Sequence, residues 1–281
     1  IRLSAGFNRS IRTECTRMMA TPAQRSMGFY VSCDCCAVNS SLIERNKNRA
    51  SVVAKLPHHP GKTYWPSRIV TWLGQNFMRL FFKIKVEGHG NFPESGPLLI
   101  LAKHQRLEDI PLGLGAVCTA MKRRDQWCVM KHSLADPKYF GFFLKCGGIP
   151  IDRRDPQKSK GFLLLARHKL HEGNTVVIFP EQTFFPSKMG KGKVPGFRFV
   201  AGRPDSPIQV GCIGFTYKKG IIRTEVTMRL GKTTTPYTKH DDAEHFLHDR
   251  MLEIAELSSL HYPHPRPEGR KAGADMEEEE N

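Results

Sequence analysis

Three apolar, strand-like runs in this chain each stop abruptly in charged or polar residues: PLLILAKHQRLED at 97–109, GGIPIDR at 147–153 and VVIFPEQT at 176–183. Short apolar runs of this kind read as buried strands, and the segments between several of them carry helical periodicity. Strands are expected in FKIKVEG, PLLILAKH, QWCVMKH, IPID, NTVVIFP, SPIQVGCIGFTY and IIRTEVTMRLG. Helices are expected in LEDIPLGLGAVCTA, PKYFGFFLKC, KGFLLLARHKLHEG and DDAEHFLHDRMLEIAELSS. The order predicts an α/β fold: a mixed, mostly parallel sheet flanked by helices. In such sheets ligands bind where strands end and loops begin, so the three junctions predict one active-site edge.

With 281 residues, 40% of them hydrophobic, the chain is long enough to bury one substantial core. Residues 1–60 show no sustained period and end in the turn cluster PHHPG, which predicts a weakly ordered basic arm. The catalytic domain is expected over 61–262, and the Pro-, Gly- and charge-rich residues 263–281 as a disordered acidic tail. At about 65–82 the apolar residues Ile69, Trp72, Leu73, Phe77, Leu80 and Phe81 recur at helical spacing, with Pro66 near the start. Such an amphipathic N-terminal helix either lies in a lipid headgroup plane or packs over the sheet, and the two are compatible.

The net charge of +16 favours an anionic partner. Nucleic acid ranks last, because neither a recognition motif nor an aromatic stacking stripe accompanies the charge. An anionic membrane surface is the expected partner, met from the cytoplasmic side by a peripheral protein, since no stretch reaches the 18 or more apolar residues of a spanning helix. Among the first 33 residues five arginines face one glutamate, a composition shared by organellar transit segments and ill-ordered leaders. Cys118, Cys128, Cys146 and Cys212 sit in apolar surroundings and read as buried, reduced thiols. Cys33 and Cys36 form a lone CxxC, a weak zinc signal. His168 with His171, and His245 with His248, have helical metal-ligand spacing but no third ligand placed by sequence, so they read as surface histidines and no metal is expected.

His104 follows an apolar strand, and Asp109 falls one turn into the next helix, within reach of one imidazole nitrogen. The other nitrogen then faces the cleft as a base. A lone pair of this kind is more often structural. No GxSxG elbow supplies a nucleophile, so the alcohol to be activated comes from the substrate.

Together these motifs resemble the glycerolipid acyltransferases of the lysophosphatidic acid acyltransferase type, over roughly residues 85–215. HQRLED matches the H-x4-D block, KHSLADPKYFG a lysine-containing segment, GGIPIDR a second block and FPEQT the FPEGT block, while KVPGFRFVA with SPIQV loosely resembles the family's segment after that block. The resemblance implies His104 as general base and Asp109 as its orienting partner, Arg153 and Lys131 as contacts for the acceptor's phosphate, and Glu181 with Thr183 shaping the acceptor pocket. It implies no cofactor, with acyl-CoA or acyl-carrier protein as co-substrate and a lysophospholipid such as 1-acylglycerol-3-phosphate as acceptor. Each residue also has a plainer reading: Arg153 paired with Asp152 or Asp155, Glu181 anchoring its loop through backbone amides. Two departures stand out. Gln182 and Phe184 replace the usual glycine and arginine of the third block, and Gln209 replaces a proline before Val210. Lys188, Lys191, Lys193 and Arg198 are candidates to replace the missing charge, and a catalytically degenerate lipid-binding protein is the alternative reading.

Overall fold

The computed structural model describes residues 56–121 and 123–268. A helix α1, Tyr64–Gln75, leads through a 3-10 turn, Phe77–Leu80, into β1, Phe82–Glu87. Then come β2 Leu98–Ala102, α2 Asp109–Met121, β3 Gln126–Lys131, the short α3 Phe142–Lys145, β4 Gly148–Ile151, α4 Pro156–His171 and β5 Thr175–Ile178. Helix α5, Val194–Ala201, the hairpin β6 Gln209–Lys218 and β7 Thr224–Leu230, and α6 Ala243–Leu257 complete the described elements.

The strands form one sheet in the order β1-β7-β6-β2-β5-β3-β4. Every pairing is parallel except the β6–β7 hairpin. The mixed, mostly parallel sheet expected from the sequence is therefore present, with all seven strands where the apolar runs place them. Alternation sorts the side chains. Leu99, Leu101, Val176, Ile178 and Val210 pack under α4, α5 and α6, while Leu98, Ile100, Ala102, Val177 and Ile213 pack under α2. Strand β2 is buried along its whole length, which is why it reads as a continuous apolar run.

Several boundaries move. The helix expected over 65–82 ends at Gln75, because β1 must begin at Phe82 to pair with Thr224. PKYFGFFLKC divides into a 3-10 turn, Pro137–Tyr139, and α3, since Phe140 and Gly141 between them take positive φ. Helix α5 was not legible as one, hidden in a segment carrying Pro195 and Gly196. Tyr262, the last residue of the expected domain, is buried in the core, and the His264 ring lies 5.0 Å from it. Cys118, Cys128 and Cys212 are buried free thiols, but Cys146 is only half-buried. His248, expected at the surface, is buried with its ring 5.4 Å from Tyr262, whereas His168 and His245 reach Glu172 and Asp242 at 3.1 Å. The basic arm's CxxC and the arginine-rich leader lie outside the described residues.

Candidate active site

The C-terminal ends of β2, β5, β3 and β4 lie side by side, which brings His104, Glu181, Lys131 and the residues before Arg153 to one sheet edge. Beyond Ala102 the pleat sends consecutive side chains to opposite faces. Lys103 goes to the face of α5 and α6, and His104 to the face of α2, where Asp109 opens the helix.

The His104 ring is stacked on Phe179 at 4.1 Å between centroids and covered from another side by Phe184 at 4.2 Å. Only 7% of the residue is exposed. Its Nδ1 lies 3.5 Å from Asp109 Oδ2, yet among the described residues this buried nitrogen has no hydrogen-bond partner. The reason is that Asp109 is already engaged. Oδ2 accepts the backbone N–H groups of Gln105 at 2.5 Å and Arg106 at 2.7 Å, and Oδ1 accepts the hydroxyl of Tyr217. Burial, and then the Asp109 charge, push the Tyr217 hydroxyl well above its usual range, so it stays protonated and donates. The sequence brings His104 and Asp109 together as expected, at ion-pair distance rather than in a hydrogen bond. Catalytic hydrogen bonds are often long before substrate binds.

Glu181 sits behind this pair. Both its oxygens accept from Lys103 Nζ, at 2.9 and 2.7 Å, Oε1 also accepts the Gly190 N–H at 2.6 Å, and Oε2 the His104 N–H at 3.3 Å. Lys103 gives its third bond to the Phe185 carbonyl. The two side chains are essentially without solvent exposure. Burial lowers the Lys103 pKa, opposed by the Glu181 hydrogen bonds and charge. Glu181 thus anchors the 180–193 loop through backbone amides and a buried cation. The same loop is strapped over the histidine motif by Phe185 N to His104 O at 3.0 Å and Ser187 N to Gln105 Oε1 at 3.1 Å.

Thr183 is exposed on that loop, next to Gln182, which adopts φ 59 where the family usually has glycine. Lys131 is exposed at the end of β3, in register with Ile151, and Arg153 stands exposed two residues past β4. Neither forms an ion pair among the described residues: Asp152 takes the Arg154 amide and Asp155 pairs with Lys158. Arg153 lines one cleft with Phe179, Pro180, Gln182 and Lys193, and Phe179 is also the ring that stacks on His104. Lys191, Lys193 and Arg198 border a second, open cleft of about 740 Å³ with Arg167 and Glu244.

Lys103, Phe179 and Tyr217 were not singled out by sequence. A lysine closing a fully apolar strand demands a buried carboxylate and is readable in retrospect. Tyr217, 108 residues from Asp109, left no such signal.

Among known protein families, residues 83–214 match Acyltransferase. No curated protein matches the chain significantly. Among solved structures the chain is similar to the 1-acyl-sn-glycerophosphate (LPA) acyltransferase PlsC from Thermotoga maritima, at 22% identity and TM-score 0.49, over 68% of this chain and 77% of that one.

Proposed function

From the premise that residues 83–214 form a domain of the acyltransferase family, we propose that the protein is a peripheral-membrane O-acyltransferase that esterifies the free hydroxyl of a lysophospholipid such as 1-acylglycerol-3-phosphate. His104 Nε2 takes the hydroxyl proton as the oxygen attacks the thioester carbonyl of acyl-CoA or acyl-carrier protein. The tetrahedral intermediate collapses with loss of the thiolate, which recovers the proton from the imidazolium, so the base returns to its starting state. Asp109 stabilises the transient imidazolium. General-base assistance of this kind contributes about 10²–10⁴-fold, and alignment of the two substrates adds to it.

The observation that carries this reading is the unsatisfied Nδ1 of a buried histidine 3.5 Å from a carboxylate, at a sheet edge that also presents Lys131 and the unpaired Arg153. Buried polar atoms are nearly always satisfied, and exceptions concentrate where function requires them. Lys131 and Arg153 supply the cationic groups for the acceptor's phosphate, Arg153 through its planar fork of donors. Thr183 and Glu181 set the loop that borders the same cleft. The apolar crevice beneath Asp109 and Phe179 holds only about 10 Å³, too little for an alkyl chain.

The degenerate-site alternative has one observation in its favour: Phe184 covers the imidazole. Purified protein given acyl-CoA and a panel of lysophospholipids separates the two. The expected outcome is turnover that falls by about 10²–10⁴-fold in His104→Ala at an unchanged fold. Equal turnover in the variant would remove His104 as the base, and none in the wild type would favour the alternative.

A further inference from the structure

The tip of the β6–β7 hairpin, Lys218-Lys219-Gly220-Ile221-Ile222-Arg223, carries two adjacent β-branched aliphatic residues that are essentially fully exposed. Its position is set by the register. Strand β6 pairs Ile213 with Ala102 at the end of β2 and then runs five residues further to Lys218. At about 3.3 Å per residue the hairpin therefore overhangs the end of β2 by ~16 Å, on the same sheet edge as His104.

The tip has a neighbour. Strand β1 begins level with Thr224, so the 3-10 turn before it stands beside the tip, and the Arg223 guanidinium donates to the Arg79 carbonyl at 2.8 Å. That turn exposes Leu80 and Phe81. Helix α1, which precedes it, presents Trp65, Ile69 and Trp72 to solvent while its opposite side is fixed against α2. The fixing is close: a Cβ on Gly74 would lie 1.9 Å from the Pro111 carbonyl oxygen. The aromatic residues of α1 are thus held outward by packing.

We propose that the hairpin tip and the 77–81 turn form a second membrane-inserting element beside α1, specific for bilayers with anionic headgroups, which sets the catalytic edge toward the lipid. This deepens the peripheral-membrane part of the preceding reading and rests on it. Arg79, Lys218, Lys219 and Arg223 ring the apolar tip, and none of them is ion-paired among the described residues. Aliphatic insertion and cation–headgroup attraction then act at one place. A second copy of the chain is a poor occupant, since it would bring two like-charged rims of lysine and arginine together on a chain of net charge +16.

The test is flotation of the full chain with phosphatidylcholine vesicles, with and without phosphatidylglycerol, comparing wild type with Ile221→Ser/Ile222→Ser and with Lys218→Glu/Lys219→Glu. Because both isoleucines are surrounded by solvent, the serine variant should keep the wild-type thermal midpoint. The wild type is expected to float with the anionic vesicles and weakly with phosphatidylcholine alone, and the serine variant's partitioning to fall by about tenfold or more. The charge-reversed variant should lose its preference for phosphatidylglycerol. If the wild type floats and the serine variant floats equally, the hairpin has no part in docking and this inference alone falls. A wild type that floats with neither vesicle removes the peripheral-membrane reading itself, while the His104→Ala kinetics judge the chemistry separately. Light scattering that shows a wild-type dimer and a monomeric serine variant would assign the tip to self-association and overturn the proposal.

Discussion

Two acid–base pairs stand one residue apart in the sequence and differ in what the fold has done with them. Lys103 and Glu181 are almost completely buried and every obvious bonding direction is used: the carboxylate holds an ammonium and two amides, the ammonium holds the carboxylate and a carbonyl. His104 and Asp109 are also buried, yet the imidazole nitrogen nearest the carboxylate has no hydrogen bond, because Asp109 has given its lone pairs to two backbone amides and Tyr217. The first pair ties β2 to the 180–193 loop. The second keeps a bonding capacity in reserve beside a cleft. A closed pair holds the scaffold, and an open pair leaves the imidazole less tightly held.

That contrast breaks most visibly under substitution of Glu181. In Glu181→Leu the Lys103 ammonium remains buried with only the Phe185 carbonyl to receive it. Removing one partner of a buried pair costs about 3–5 kcal/mol, or roughly 10 °C of melting temperature in a domain of this size. Lys103→Met added to Glu181→Leu should recover much of the loss, since replacing both members removes the stranded charge. Calorimetry of the three proteins decides it, and full stability in the single variant would show the pair to be ornamental.

Asp109→Asn should act the other way round. The amide oxygen can still accept from the Gln105 and Arg106 amides, so the loss of stability should stay near 1–2 kcal/mol. The imidazolium that forms during transfer would lack its counter-charge, and turnover should fall by about 10²-fold or more. A variant that unfolds while keeping its rate per folded molecule would place Asp109 with the scaffold instead.

The sequence carries most of the sheet and part of this contrast. Seven strands were legible because each is an apolar run or, in β1 and β7, an apolar–polar alternation bounded by turn residues, and β2 most plainly because it is covered on both faces. His104 and Asp109 were legible because only four residues separate them, and strand-to-helix geometry fixes where each points. Lys103–Glu181 and Asp109–Tyr217 were not, because each joins residues far apart in the chain, 78 and 108 positions, and local periodicity says nothing about which strand lies beside which. Helix α5 escaped for another reason: Pro195 suits the first turn of a helix but, with Gly196, reads as a turn when the neighbours are unknown. The overhang of the hairpin is likewise a matter of register, visible only once Ile213 is seen to pair with Ala102.

Tyr217→Phe gives the most selective test, because it leaves the Asp109 charge in place. At pH 8 the variant loses one hydrogen bond to a carboxylate, a cost of about 1.5–3 kcal/mol. Burial and the Asp109 charge raise the hydroxyl's pKa in the folded protein, while in the unfolded chain it titrates near its ordinary value of about 10. Below that value both states keep the proton and the group adds no pH dependence. Above it the unfolded chain releases the proton that the folded protein retains, so the unfolded state binds fewer protons and stability falls as pH rises, by at most about 1.4 kcal/mol per pH unit. Phenylalanine has no such proton to lose. Wild type and Tyr217→Phe should therefore differ most at pH 8 and converge as urea-unfolding curves are collected from pH 10 upward. Parallel curves across that range would mean that Tyr217 ionises in the folded state as easily as in the unfolded one, and that its hydroxyl does not serve to occupy Asp109.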